Sequence, residues 1–185
     1  MLHCDYPVWP MVIPSDGFFP ISGNTTALLD SCGAASFAIP PGGAWSGQVI
    51  ARVGCALPAT VLQLQAHAYG RADVAVYGVS LSGGFNVPAT ETPHAFPSGS
   101  ACPALGCAED LMNPGGPAGR RVTADGASGV RCPKTLTWSG DAVDVEQLCV
   151  APGELKVTFC PKTMVTRAAG DEPAELARAV VVADS

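Results

Sequence analysis

Three features of the 185-residue chain predict an all-β fold. Glycine (21) and proline (17) make up about a fifth of it, while charged residues are only 14%, against about 25% in an ordinary soluble domain. Such a mixture serves long helices poorly. It suits short strands joined by turns, because proline fixes φ and lacks a donor while glycine supplies positive φ. Strand-like runs recur at 36–39, 45–53, 60–68, 73–81, 141–148 and 155–159. Within 61–65 and 74–79 the alternation has period two, so one face packs inward and the other is open to solvent or ligand.

Turn chemistry marks the gaps between runs. Pro40-Pro41-Gly42-Gly43 precedes the run at 45–53, Ser82-Gly83-Gly84 follows the one at 73–81, and Ala151-Pro152-Gly153 stands before the last. This is the spacing of a sandwich or barrel. From 88 to 132 the pattern dissolves into proline, glycine and serine, so mostly irregular structure is expected there, with a helical look only at 107–113. Residues 171–179, with acidic groups in the first turn, read as a short helix that does not pack on the core. The length suits one domain.

Eight cysteines without any C-x-x-C pair read as a disulfide framework, and hence as an oxidising compartment. No apolar run approaches the roughly 18 residues of a membrane span. The opening Met-Leu-His-Cys has neither a basic stretch nor a hydrophobic segment, so a secretory signal is expected to have been removed or to lie outside this sequence. A net charge of −6 with ten scattered Lys and Arg excludes a nucleic-acid interface. His3, His67 and His94 have no chelating spacing, no G-x-S-x-G occurs, and no metal or cofactor is expected.

Four segments, in order, resemble the thaumatin-like family of plant defence and sweet-tasting proteins. Cys4-Asp5-Tyr6-Pro7-Val8-Trp9-Pro10 is similar to its opening strand, and 45–55, with Trp45, Arg52 and Cys55, to a following one. Residues 77–88, a strand running into Gly84-Phe85-Asn86-Val87-Pro88, and Val157-Thr158-Phe159-Cys160-Pro161 resemble two more. The resemblance implies a disulfide-stapled antiparallel β-sandwich over residues 1–161. The family's helical, cysteine-dense second domain is reduced to a short replacement at 108–131, leaving an open, shallow surface where full-length relatives have an acidic cleft. Residues 162–185 then form a C-terminal tail, expected to be dispensable, flexible or processed.

The resemblance also implies the pairs Cys4–Cys160, Cys102–Cys149 and Cys107–Cys132. The usual partner of Cys55 lies in a loop missing here, and Cys32 is the cysteine left over, so a compensating Cys32–Cys55 bridge is inferred. Asn24-Thr25-Thr26 is an N-glycosylation sequon.

Glycoside hydrolysis needs two carboxyl groups flanking the bond. The position resembling the family's cleft glutamate is Gln63, and the aspartate positions become Gly78 and Gly83. Asp73, alone on an open face, reads as a solvated strand-end residue. Tyr69, Tyr77 and Phe85 cluster where the cleft floor would be, and aromatic faces stack on sugars. Gln63, Tyr69, Asp73, Tyr77, Phe85 and Asn86 are therefore the candidate ligand contacts, with no catalytic residue among them. The expectation is a monomeric, secreted defence-type protein of the apoplast, cell wall or vacuole that binds β-1,3-glucan or a microbial wall polysaccharide without hydrolysing it. The alternatives are a weak endo-β-1,3-glucanase and a degenerate structural or inhibitory wall protein.

Overall fold

A computed structural model describes Cys4, residues 6–21, 34–39, 43–53, 60–71, 73–108, Leu111, Cys132, and residues 134–136, 146–161 and 179–184. These form eleven strands: β1 (Trp9–Pro14), β2 (Ala34–Ile39), β3 (Trp45–Arg52), β4 (Val61–Ala66), β5 (Val74–Ser80), β6 (Ala89–His94), β7 (Leu105–Cys107), β8 (Thr135–Leu136), β9 (Gln147–Val150), β10 (Glu154–Phe159) and β11 (Ala179–Asp184). The helical content among the described residues is one 3-10 turn, Ala68–Gly70.

The strands make two mostly antiparallel sheets. The first runs β1-β3-β4-β5, and the far side of β5 is shared between antiparallel β9 and parallel β8. Proline explains why β1 is an edge: Pro10 and Pro14 lack the N–H that a second neighbour would require. The second sheet runs β2-β11-β10-β6-β7. Its β7 stops opposite Glu91, short of the donorless Pro93, and Gly106 lets it approach closely, because a Cβ there would strike the Ala89 carbonyl. One apolar core draws on both sheets, with Val49, Leu62, Leu64, Tyr77 and Val79 from the first and Ala89, Leu105, Leu155, Val157 and Phe159 from the second. This is the expected sandwich.

Three of the expected disulfides are present: Cys4–Cys160, Cys102–Cys149 and Cys107–Cys132, with Cα separations of 5.5, 5.0 and 4.3 Å. Cys32, Cys55 and Asn24 lie outside the described residues, as does most of the expected helix at 171–179.

Two expectations are corrected. The mostly irregular stretch at 88–108 holds two strands, β6 and β7, and the apparent helix start at Cys107 is the end of the second. β6 is buried at five successive positions and β7 at all three, so neither carries a period-two pattern that the sequence could show. Nor is the C-terminal stretch wholly peripheral. Ala179–Asp184 is the strand β11, antiparallel to β10 and parallel to β2, and its apolar Ala-Val-Val-Val-Ala sequence suits a strand paired on both sides.

Candidate functional site

The outer face of the first sheet follows from strand phase. Trp45, Gly47 and Val49 of β3 point inward, and a side chain on Gly47 would collide with the Trp45 indole. Ser46 and Gln48 therefore face out. On β4, buried Leu62 and Leu64 leave Gln63 and Gln65 facing out. The register sets Gln48 opposite Gln63 and Ser46 opposite Gln65, while on β5 Gln63 meets Gly78 and Gln65 meets Val76. Gly78 adds no side chain to this face, so a depression opens beside Gln63.

A hollow of about 230 Å³ results, lined chiefly by Ser15, Ser46, Gln48, Gln63, Gln65 and Glu146. It is smaller than the roughly 300–1,000 Å³ of pockets that enclose drug-sized ligands. Its polar groups are hydroxyls and side-chain amides, which both donate and accept, with Glu146 contributing its one carboxylate among the described residues. Ser15 and Ser46 join their hydroxyls at 3.1 Å, and the Ser15 backbone N–H donates to the Ser46 carbonyl at 2.9 Å, closing the hollow toward β1. Such a lining matches a neutral polyhydroxylated ligand.

The six residues expected to contact ligand are not all gathered there. Gln63 stands in the middle of the hollow, exposed. Tyr77 backs it but is only 1% exposed, and its hydroxyl donates to the Pro103 carbonyl at 2.6 Å, so its ring belongs to the core. Phe85 is buried against Leu81, Cys107 and Cys132. The stacking role expected for these two rings is therefore corrected: neither offers a face to solvent.

Asn86 is a brace. Its Oδ1 accepts from the Thr60 N–H at 2.9 Å and its Nδ2 donates to the Ala51 carbonyl at 2.6 Å, while Thr60 Oγ1 donates to the Val87 carbonyl at 2.8 Å. The Gly-Phe-Asn-x-Pro turn is thereby fastened to β3 and to the entry of β4. Asp73 lies at the end of the sheet, where the Arg71 guanidinium donates to both its oxygens at 3.2 and 2.8 Å and holds its carboxyl below the ordinary range. An exposed carboxylate so held is a poor proton donor. Tyr69 stands 77% exposed on the 3-10 turn, beyond the hollow.

Two residues escaped the sequence reading. Glu146 lines the hollow from just before β9. Glu91 sits on β6 between Leu105 and Val157, 1% exposed, and its Oε2 has no hydrogen-bond partner among the described residues. Burial pushes its carboxyl well above the ordinary range. Nearby Tyr77 is raised as well, by its own burial first and by the Glu91 charge second.

No family model matches the chain. It is similar to an osmotin-like protein of Solanum lycopersicum, 28% identical over 222 aligned positions that cover 85% of this chain and 86% of the relative. The alignment is longer than this chain, so the relative carries segments that have no counterpart here.

Proposed function

The chain belongs to the thaumatin-like family, and on that premise we propose that it is a secreted, antifungal-type defence protein that binds neutral cell-wall β-1,3-glucan on the outer face of its first sheet without hydrolysing it. The observation that carries this reading is the hollow around Gln63, with its amide and hydroxyl lining. Sugar hydroxyls pair with such groups in either direction, and an uncharged ligand needs no ion-pair partner. Secretion accords with the three disulfides, and Asn24 would carry an N-glycan.

Among the described residues, hydrolysis lacks its second group. The two-carboxylate scheme requires an acid and a base or nucleophile across the bond, whereas Glu146 is the one carboxylate that lines the hollow among those residues and Asp73 is tied to Arg71 away from it. A shallow site also leaves water in place, which weakens charge stabilisation.

The test is co-sedimentation with insoluble β-1,3-glucan, with reducing-sugar release measured on the same samples. Binding is expected to change little with salt, and to fall roughly tenfold in Gln63→Ala, the worth of one or two neutral hydrogen bonds. Retained affinity in Gln63→Ala and Gln48→Ala would remove the site from the hollow. Turnover above buffer that Glu146→Gln abolishes would make the protein a glucanase instead.

A further inference from the structure

Phe19 is 83% exposed and Tyr69 77%, the two largest departures from burial among the described large hydrophobic residues. Both lie at the same end of the first sheet. Phe19 follows β1, and its carbonyl accepts a hydrogen bond from Trp45 Nε1 at 3.0 Å at the start of β3. Trp45 pairs with Ala66 at the end of β4, three residues before Tyr69. The polar hollow reaches this end through Ser15, Ser46 and Gln65, and each ring comes four residues after one of these lining positions, Phe19 after Ser15 and Tyr69 after Gln65.

The turns that present the rings are fixed. His67 and Tyr69, neither of them glycine, hold φ of 52° and 56°, left-handed conformations that persist only where surroundings impose them. His67 Nδ1 is bonded to the Gly43 carbonyl at 2.9 Å, and the Arg71 N–H donates to the Ala68 carbonyl at 3.0 Å. On the other side the Phe18 N–H donates to the Ser15 carbonyl at 3.0 Å. The aromatic side chain of this fixed turn is turned largely to solvent, which core formation does not explain.

We propose that Phe19 and Tyr69 form an aromatic rim that carries a neutral glucan chain out of the hollow, so that the protein selects polymers over short sugars. The inference rests on the glucan-binding reading above. A hollow of about 230 Å³ encloses little more than one sugar ring, so a bound polymer must continue beyond it. At this end the emerging chain meets ring faces, on which the C–H surfaces of sugars stack. A second copy of the chain fits less well, because two aromatic side chains offer at most about 500 Å², short of the roughly 800 Å² per partner in a stable interface.

The test is calorimetric titration with a β-1,3-linked disaccharide and hexasaccharide, using the wild type, Gln63→Ala and the double variant Phe19→Ala/Tyr69→Ala. The wild type is expected to bind the hexasaccharide more tightly than the disaccharide. In the double variant, that hexasaccharide affinity should fall by about tenfold or more, the worth of two stacking contacts, with disaccharide affinity and melting temperature unchanged. Gln63→Ala should weaken both sugars alike. Wild-type hexasaccharide affinity in the double variant would overturn the rim and leave the hollow standing. If the wild type binds neither sugar, the rim and the glucan reading fall together. A sedimenting dimer that the double variant loses would assign the rings to a second copy and overturn the proposal.

Discussion

Replacing both Cys4 and Cys160 with serine is expected to cost about 2–5 kcal/mol, the range for losing a native bridge from a small secreted domain. At roughly 2–4 °C per kcal/mol for a chain of this size, the melting temperature should drop by on the order of 10 °C. The bridge closes 156 residues, tying the chain before β1, an edge of the first sheet, to the residue after β10 in the second. Without it, the unfolded chain regains the freedom of that long loop, since Cys102–Cys149 and Cys107–Cys132 close only 47 and 25 residues, and non-covalent packing alone holds the two ends together. Cys107–Cys132 closes only 25 residues, and loop entropy grows as the logarithm of length, so its removal should cost about 1.5 kcal/mol less. Replacing both cysteines avoids a stray buried thiol. Equal melting temperatures for the two double variants would show that loop entropy does not rank these bridges.

The central strands were legible because each announced itself by phase or by a β-branched run. Val61-Leu62-Gln63-Leu64-Gln65 is β4 with its polar side facing out, as the alternation requires. The same alternation contained the answer for Tyr77. Gln63 pairs with Gly78, so the neighbouring Tyr77 must share the inward phase of Leu64, its own cross-strand partner. Grouping of the rings along the sequence carries no such parity, and by itself it puts Tyr77 on the wrong face. Phe85 and Asn86 carry a turn motif, and a motif does not say whether its residues bind a ligand or brace the chain. Their hydrogen bonds and packing partners come from Ala51, Thr60, Cys107 and Cys132, all remote in sequence.

Other elements left weaker traces. β6 and β7 have few large apolar residues, and their burial arises from pairing with β10 and from the opposing sheet rather than from composition. β11 does carry an apolar, β-branched pattern, but it lies beyond Pro161, where the resemblance ends, and only its pairing with β10 and the remote β2 makes it part of the sheet. Glu146 was invisible for a different reason. A carboxylate at a strand entrance looks like any solvated residue until the register brings it beside Gln48 and Gln63.

Glu91 provides the second large effect. It occupies an inward position flanked by Leu105 and Val157, in a core where Tyr77 faces it from the opposite sheet. Its folded-state carboxyl titrates well above the ordinary range because burial disfavours the charge. The native state therefore keeps a proton that the unfolded chain releases above about pH 4.3. Stability from this group is complete below that pH and is lost progressively as pH rises toward the folded-state value. The Tyr77 hydroxyl, itself pushed up, stays protonated throughout. Asp73 titrates in the opposite sense, but its pair with Arg71 is exposed and contributes little. Glu91→Gln preserves the shape without the charge and should flatten the decline in melting temperature between pH 5 and 8. Glu91→Met also removes the unsatisfied Oε2, and should stabilise the fold at neutral pH by about 1–3 kcal/mol, the cost of leaving one buried polar group unpaired. Melting curves of the wild type and both variants at pH 4, 6 and 8 decide it: three parallel pH profiles would mean that Glu91 does not hold its proton in the folded protein.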